Sequence, residues 1–302
     1  MARVAKTRPP VAIVGAGAVA QALGRLLAEG GESVVALASR NRARAEQAAR
    51  FIGGPGGSIQ VVEYADVPNL ATRVLIAVTD QGIEQVAEAL AAAGMKSGEA
   101  LHTCGARGPD ALEALRRPGV ACGMLHPLQT IMSPEQGVRS LADVTFGVSG
   151  DPKAVEWAGE IVRMVTGGHG RWLQIEADRL SYYHAGAVMA SNALVAALDA
   201  AVILFAHAGV ERVAALRAVG PLARTTLDNV RGSGPQAALT GPVARGDAAT
   251  VAAHREALRD VDPTVAKLYD AAAGHLLQLA KQRGLSGDSV RAVELVLDIR
   301  SG

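Results

Sequence analysis

A chain of 302 residues exceeds one ordinary domain of ~100–200 residues and is too short for three well-filled ones, so two domains are expected. Hydrophobic residues make up 49% and charged residues 20%, enough apolar side chain for a real core, which excludes a disordered or collagen-like chain. The formal charge of +1 is spread evenly, with 14 Lys+Arg against 13 Asp+Glu over residues 1–150 and 16 against 16 over 151–302. Neither half therefore carries the footprint of a nucleic-acid or membrane-surface partner.

The basic segment Met1–Pro10 is followed by a short apolar run and a glycine loop instead of the apolar stretch and cleavage site of a signal peptide, so a cytoplasmic chain is expected. From Val11 to Leu125 short apolar runs alternate with amphipathic stretches, the pattern of βαβ units with a parallel sheet. The spacing predicts strands over Val11–Val14, Ser33–Ala38, Ile59–Val62, Arg73–Val78, Ala100–Thr103 and Val120–Leu125. It predicts helices over Ala18–Glu29 and Arg42–Ile52, with the glycine-rich residues 53–58 as loop. Cys104 and Cys122 lie in apolar surroundings, and two cysteines make neither a disulfide framework nor a four-ligand zinc site; a reducing compartment is expected.

Beyond Leu128 the pattern changes to strand-like runs over Thr145–Val148 and Arg171–Gln174, a helix over Pro152–Val165, and then mostly helix. Asp178–Ala208, nearly free of glycine and proline, reads as one long helix broken by Gly209; Pro221, Gly232–Pro235 and Gly241–Pro242 punctuate those that follow. The expected architecture is an α/β Rossmann domain with a mostly parallel, doubly wound sheet over 1–150, then a mainly α domain for substrate and dimerisation over 151–302. Residues 185–210 are long and apolar enough to span a bilayer, yet hold Ser191, Asn192, Asp199 and His207 among small residues suited to close packing. They read as a buried helix with no membrane, most easily buried against the symmetry mate of a homodimer.

After the first strand, Gly15-Ala16-Gly17-Ala18-Val19-Ala20 opens directly into a helix. In such a loop the first glycine permits the turn and the second lets a pyrophosphate approach the backbone. A small third residue lets helix and strand pack closely, with phosphate at the helix N-terminus. The second strand ends in Ser39-Arg40-Asn41-Arg42, with no carboxylate before Glu46 to accept from a ribose. Ser39 and Asn41 can donate to a 2′-phosphate and Arg40 can cap it by charge, so NADP(H) is the expected cofactor. Val78, Thr79 and Asp80 at the fourth strand end, and Cys104 and Gly105 at the fifth, should line its ribose and nicotinamide; Asp80 also reads as a helix N-cap.

Together with the N-terminal loop, the Val78-Thr79-Asp80 turn, His102–Gly105, Gly123–Thr130, Tyr183-His184, Ser191-Asn192 and Leu239–Pro242 with Arg245–Asp247 resemble a family of Rossmann-like NADP oxidoreductases. Its helical C-terminal domain is similar to that of 6-phosphogluconate dehydrogenase, and it stands near ketopantoate reductase, pyrroline-5-carboxylate reductase and the 3-hydroxyacid dehydrogenases. The resemblance implies reduction of a small carboxylate-bearing ketone or imine, ketopantoate among them.

In the hydroxyacid dehydrogenases and ketopantoate reductases a lysine stands four residues before the asparagine that Asn192 matches. Here that position is Val188, and no lysine occurs between Lys153 and Lys267. The proton donor must be another residue; His184, a histidine able to donate near neutral pH, and His126, at the sixth strand end, are the candidates, with Asn192 beside them. On one straight helix His184 and Asn192 would lie ~12 Å apart and could not share one carbonyl atom. Each also has a structural reading, as does each of Tyr182 and Tyr183 as packing residues. Arg245 is the choice for a substrate carboxylate, with Thr240 and Gln129 as further substrate-binding candidates and Asp247 as a helix cap or its ion-pair partner. No metal site is expected. The alternative to an enzyme is a non-catalytic NADP-binding regulatory or scaffold protein, on the missing lysine.

Overall fold

The computed structural model describes residues 8–298, so residues 1–7 of the basic segment Met1–Pro10 lie outside it. Two compact units are present, one up to Met189 and one from Ala190 onward.

In the first unit eight strands, β1 (Val11–Val14), β2 (Val34–Ala38), β3 (Gln60–Val62), β4 (Arg73–Ile76), β5 (Gly98–His102), β6 (Val120–Pro127), β7 (Thr145–Gly150) and β8 (Arg171–Gln174), form one sheet in the order β3-β2-β1-β4-β5-β6-β7-β8. All neighbours are parallel except β6 and β7, so the sheet is mostly parallel, as the alternating pattern predicts. Seven helices accompany it: α1 (Ala18–Glu29), α2 (Arg42–Gly53), α3 (Val67–Leu70), α4 (Ile83–Ala92), α5 (Pro134–Ser140), α6 (Pro152–Val165) and α7 (Leu180–Ala190).

The central strands are apolar runs because helices cover both faces of the sheet. Val11 and Ile13 join a core with Leu23, Leu27, Ile52 and Trp157, whereas Ala12 and Val14, pointing the other way, join Ile83, Val86, Leu90 and Leu115. The first unit extends past the expected boundary at residue 150, to Met189, because β7 pairs with β6 and β8 with β7. The strand ends that matter for ligands, those of β1, β2, β4 and β5, all point the same way.

The second unit is helical: α8 (Asn192–His207), α9 (Arg212–Ala238), α10 (Pro242–Arg245), α11 (Ala248–Ala257), α12 (Pro263–Gln282) and α13 (Gly287–Leu297). Val243, Val251, Leu277, Val293 and Leu297 form its largest core. Side chains of Glu211, Asp247, Asp262 and Ser286 cap α9, α11, α12 and α13 by accepting from backbone N–H groups two or three residues on.

Two helical expectations are corrected. The single helix over Asp178–Ala208 is two, because Ser191 leaves helical geometry at φ −121°, ψ −71°, and its hydroxyl lies 2.9 Å from Asn192 Oδ1. Pro221 does not end a helix: it is exposed within α9, so the backbone bond it removes is lost on the solvent side, and the bend comes instead at Gly234, at φ 81°. The apolar stretch 185–210 is not buried within the chain, where Val202 alone is buried while Met189, Leu194 and Val195 are exposed. Ala177–His207 has a mean hydropathy of 2.0 over its most apolar window, enough by length and composition to cross a membrane.

Candidate nucleotide cleft and the adjoining histidine cluster

The β1–α1 turn is shaped for a group that approaches its backbone. Gly15 sits at φ +125°, where a Cβ would fall on the carbonyl of Ala77, so no other residue fits. Gly17 precedes α1 in an extended conformation, with open space where its Cβ would be, and no side chain caps the helix. The unpaired N–H groups of the first turn therefore face outward, as a phosphate requires.

A cleft of about 430 Å³ opens there, lined by Gly15, Ala16, Gly17, Ala18, Val19, Ser39, Arg40, Asn41, Val78, Thr79 and Thr103. Ala20 lies behind the loop, fully buried against the core. The glycine cradle, the uncapped helix start and the cations at the end of β2 fit a dinucleotide carrying a 2′-phosphate. Three further residues line the cleft that the sequence reading passed over, Arg44, Tyr64 and Ile131. Arg44 is in the first turn of α2, and Tyr64 follows β3 at the neighbouring strand end, a position where ligands of wound sheets bind.

Local bonds divide the cations. Asn41 Oδ1 accepts from the Arg44 N–H at 3.0 Å and caps α2, so only its amide N–H groups remain for a ligand. Arg42 turns to Glu46, one helical turn on. The Tyr64 hydroxyl accepts from the backbone N–H of Arg40, and burial raises its pKa, so it stays a phenol. Arg40 and Arg44 are thus the guanidinium groups of the cleft.

Beyond Thr103 the chain continues to a cluster at the ends of β5 and β6. His102 is fully buried; its Nε2–H donates to the Gly108 carbonyl at 2.9 Å, and its Nδ1 accepts from the Cys104 N–H at 3.3 Å. Burial lowers its pKa, which keeps this neutral tautomer and pins the loop 103–108. The Cys104 thiol is pushed up to about 11, first by burial and then by its hydrogen bond to the Asp80 carboxylate. Cys104 is therefore an unreactive thiol. Asp80 is exposed, caps no helix and instead accepts from this thiol, so the reading of an N-cap is corrected.

His126 ends up beside Gly105, where any Cβ would stand 2.6 Å from its Nδ1. From α7, the Tyr183 hydroxyl reaches His126 Nδ1 at 2.8 Å, and the His184 ring centroid lies 6.2 Å from that of His126. Gly147, the β7 residue paired with His126, makes room for Tyr183: a Cβ there would occupy the position of the hydroxyl. Burial and, secondly, the nearby His184 lower the His126 pKa to about 4, against a smaller opposing effect of Asp80. Burial raises the Tyr183 pKa to about 12, against a smaller opposing effect of the Gly147 backbone. At neutral pH both groups are uncharged.

The two histidines singled out from the sequence are thus brought together, and Tyr183, read as packing, is hydrogen-bonded to one of them. Tyr182 is 76% exposed and packs little within the chain. Gln129 is exposed and folds onto its own loop, its Oε1 accepting from the Thr130 N–H at 2.9 Å. Asn192, Thr240 and Arg245 belong to the second unit and are exposed there. Asp247 caps α11, with Thr250 donating to it from both its N–H and its hydroxyl.

Residues 1–127 match the model of a Rossmann-like domain, and residues 144–276 match the domain of unknown function DUF2520. Curated proteins give no sequence match. Among solved structures, protein TM1727 from Thermotoga maritima is 22% identical, covering 90% of this chain and 99% of that one at a TM-score of 0.71. A 1-pyrroline-5-carboxylate reductase from Streptococcus pyogenes is 15% identical, over 92% of this chain and 100% of its own, at 0.61. A reductive aminase from Aspergillus terreus, in complex with NADPH and ethyl levulinate, is 15% identical over 96% and 99%, at 0.63. The chain thus matches a Rossmann-like domain followed by the domain of unknown function DUF2520, on a fold similar at low identity to that of the pyrroline-5-carboxylate reductase and the reductive aminase.

Proposed function

We propose that this protein is an NADP(H)-dependent oxidoreductase that reduces a small carboxylate-bearing ketone or imine, ketopantoate being the first substrate to try. The observation that carries the reading is the placement of an uncharged, hydrogen-bonded His126, with His184 beside it, at the strand end next to the nucleotide cleft. NADPH, when bound, supplies the hydride. Gly15 and Gly17 hold its pyrophosphate against the start of α1, and Ser39, Arg40 and Arg44 bind the 2′-phosphate. The cluster serves proton donation to the substrate heteroatom, the part a missing lysine leaves open.

Incubating the protein with NADPH and a panel of 2-keto acids and cyclic imines tests this. Loss of nicotinamide absorbance with at least one of them is expected. Tight NADPH binding with no turnover of any would point instead to a nucleotide-binding regulatory or scaffold protein.

The proposed assembly is a homodimer in the cytoplasm, the compartment being inferred from two free, buried cysteines. Tyr182, Val188 and Met189 are exposed on α7, and Leu194 and Val195 are exposed on α8, apolar side chains that a second copy would cover. Light scattering at micromolar concentration should give twice the monomer mass. A monomer would sink the dimer, and recovery only with detergent would assign the surface to a membrane.

A further inference from the structure

Tyr183 is tied into the cluster from two sides. Its oxygen stands 2.8 Å from His126 Nδ1, and its ring end lies over Gly147, where a Cβ would meet the hydroxyl. A hydroxyl has one proton to give. Burial keeps the phenol protonated and His126 neutral, and when the hydroxyl donates to Nδ1 the imidazole carries its own proton on Nε2. Nε2 has no partner among the described residues, and it is the nitrogen left to meet a ligand.

We propose that Tyr183, seated by Gly147, is the positioning residue that makes His126 a donor through Nε2 and replaces the proton it gives. This rests on the reductase reading above. As the carbon–heteroatom double bond is reduced, its π electron pair becomes a lone pair on the substrate oxygen or imine nitrogen. That atom takes the proton of His126 Nε2 while the Tyr183 O–H proton passes to Nδ1. The imidazole stays neutral with its tautomer exchanged, and the negative charge rests on the phenolate, which accepts from the new Nδ1–H until water restores the proton. A neutral imidazole acting alone would have to become an imidazolate; the tyrosine removes that obstacle.

The arrangement also accounts for Gly147. Directly across the antiparallel pair from His126, it alone of the β7 residues pairs with that histidine, and a methyl group there would displace the hydroxyl. Tyr183→Phe and Gly147→Ala should therefore act alike, one deleting the hydroxyl and the other pushing it away.

The experiment combines kinetics with nitrogen NMR of the histidines in the full-length protein. In the wild type the His126 signals should show a protonated Nε2 and an unprotonated, hydrogen-bonded Nδ1. In Tyr183→Phe the Nδ1 resonance should move toward that of a free imidazole nitrogen, kcat for a ketone substrate should fall ~10- to 100-fold, and KM should stay within about twofold. Gly147→Ala should reproduce both effects, and the double variant should be no worse than either single one, because the same bond is removed only once. Circular dichroism confirms that the phenylalanine variant is folded. A wild-type Nδ1 that carries the proton would overturn the proposal. So would wild-type kcat in Tyr183→Phe despite a shifted Nδ1 resonance. A wild type with the expected Nδ1 signature but inert toward the whole panel would overturn the reductase reading, and the relay with it, leaving the Tyr183–His126 bond as structure alone.

Discussion

Replacing both Arg40 and Arg44 with alanine should lower NADPH affinity ~100-fold or more while leaving NADH affinity within about twofold, with each guanidinium contributing ~1.5–3 kcal/mol as a charge-assisted bond to a 2′-phosphate. Both line the nucleotide cleft, and Asn41 and Arg42 are already engaged by the cap of α2 and by Glu46. The wild type should accordingly prefer NADPH over NADH by at least about tenfold, and Arg40→Ala alone should remove much of that preference. Ser39→Asp should go further, because a carboxylate at the end of β2 repels the phosphate and can accept from the ribose hydroxyls of NADH. Calorimetric titration of the four proteins with both nucleotides checks this. Equal wild-type affinities would remove the assignment of Ser39, Arg40, Asn41 and Arg44 but leave the glycine loop as a dinucleotide site.

A second large effect is expected at Gly15. Its N–H donates to the Ala38 carbonyl at 2.9 Å, and the Ala77 backbone that a Cβ would strike is itself tied to Val14 by a 2.8 Å bond. Neither side of the turn can give way. Gly15→Ala should therefore cost ~3 kcal/mol or more in stability, from a strained backbone plus a backbone clash, and abolish measurable nucleotide binding. Gly17→Ala separates the two consequences. Nothing lies within 4 Å of the new Cβ, so its Tm should match the wild type. Only nucleotide affinity should drop, since the methyl takes the space through which a pyrophosphate approaches. A Gly15→Ala protein with unchanged Tm would show that the turn is softer than its hydrogen bonds imply.

Much of the first unit was legible because its signals are local. The β1–glycine turn–α1 order follows from a short continuous apolar run, two glycines and a period-3.6 helix within twenty residues, and the missing acid after β2 bears on cofactor choice at one position. The cap at Asp247 is likewise a three-residue matter. Helix continuity through 178–208 was misjudged because composition reports propensity, whereas the break at Ser191 is a single backbone conformation that a polar hydroxyl favours.

Composition also marked 185–210 as needing burial, but propensity and hydropathy say nothing of which surface covers a helix, and within this chain almost none of it is covered. Only the folded chain decides that Tyr183 meets His126 across 57 residues, that Gly147 leaves room for it, and that Arg44 and Tyr64 share a cleft with Arg40. Those contacts depend on sheet order and on how α7 packs, quantities set by long-range burial that no window of neighbouring residues encodes. The same burial lowers the His126 pKa to about 4, turning a histidine that the sequence offers as a ready acid into one that needs its tyrosine.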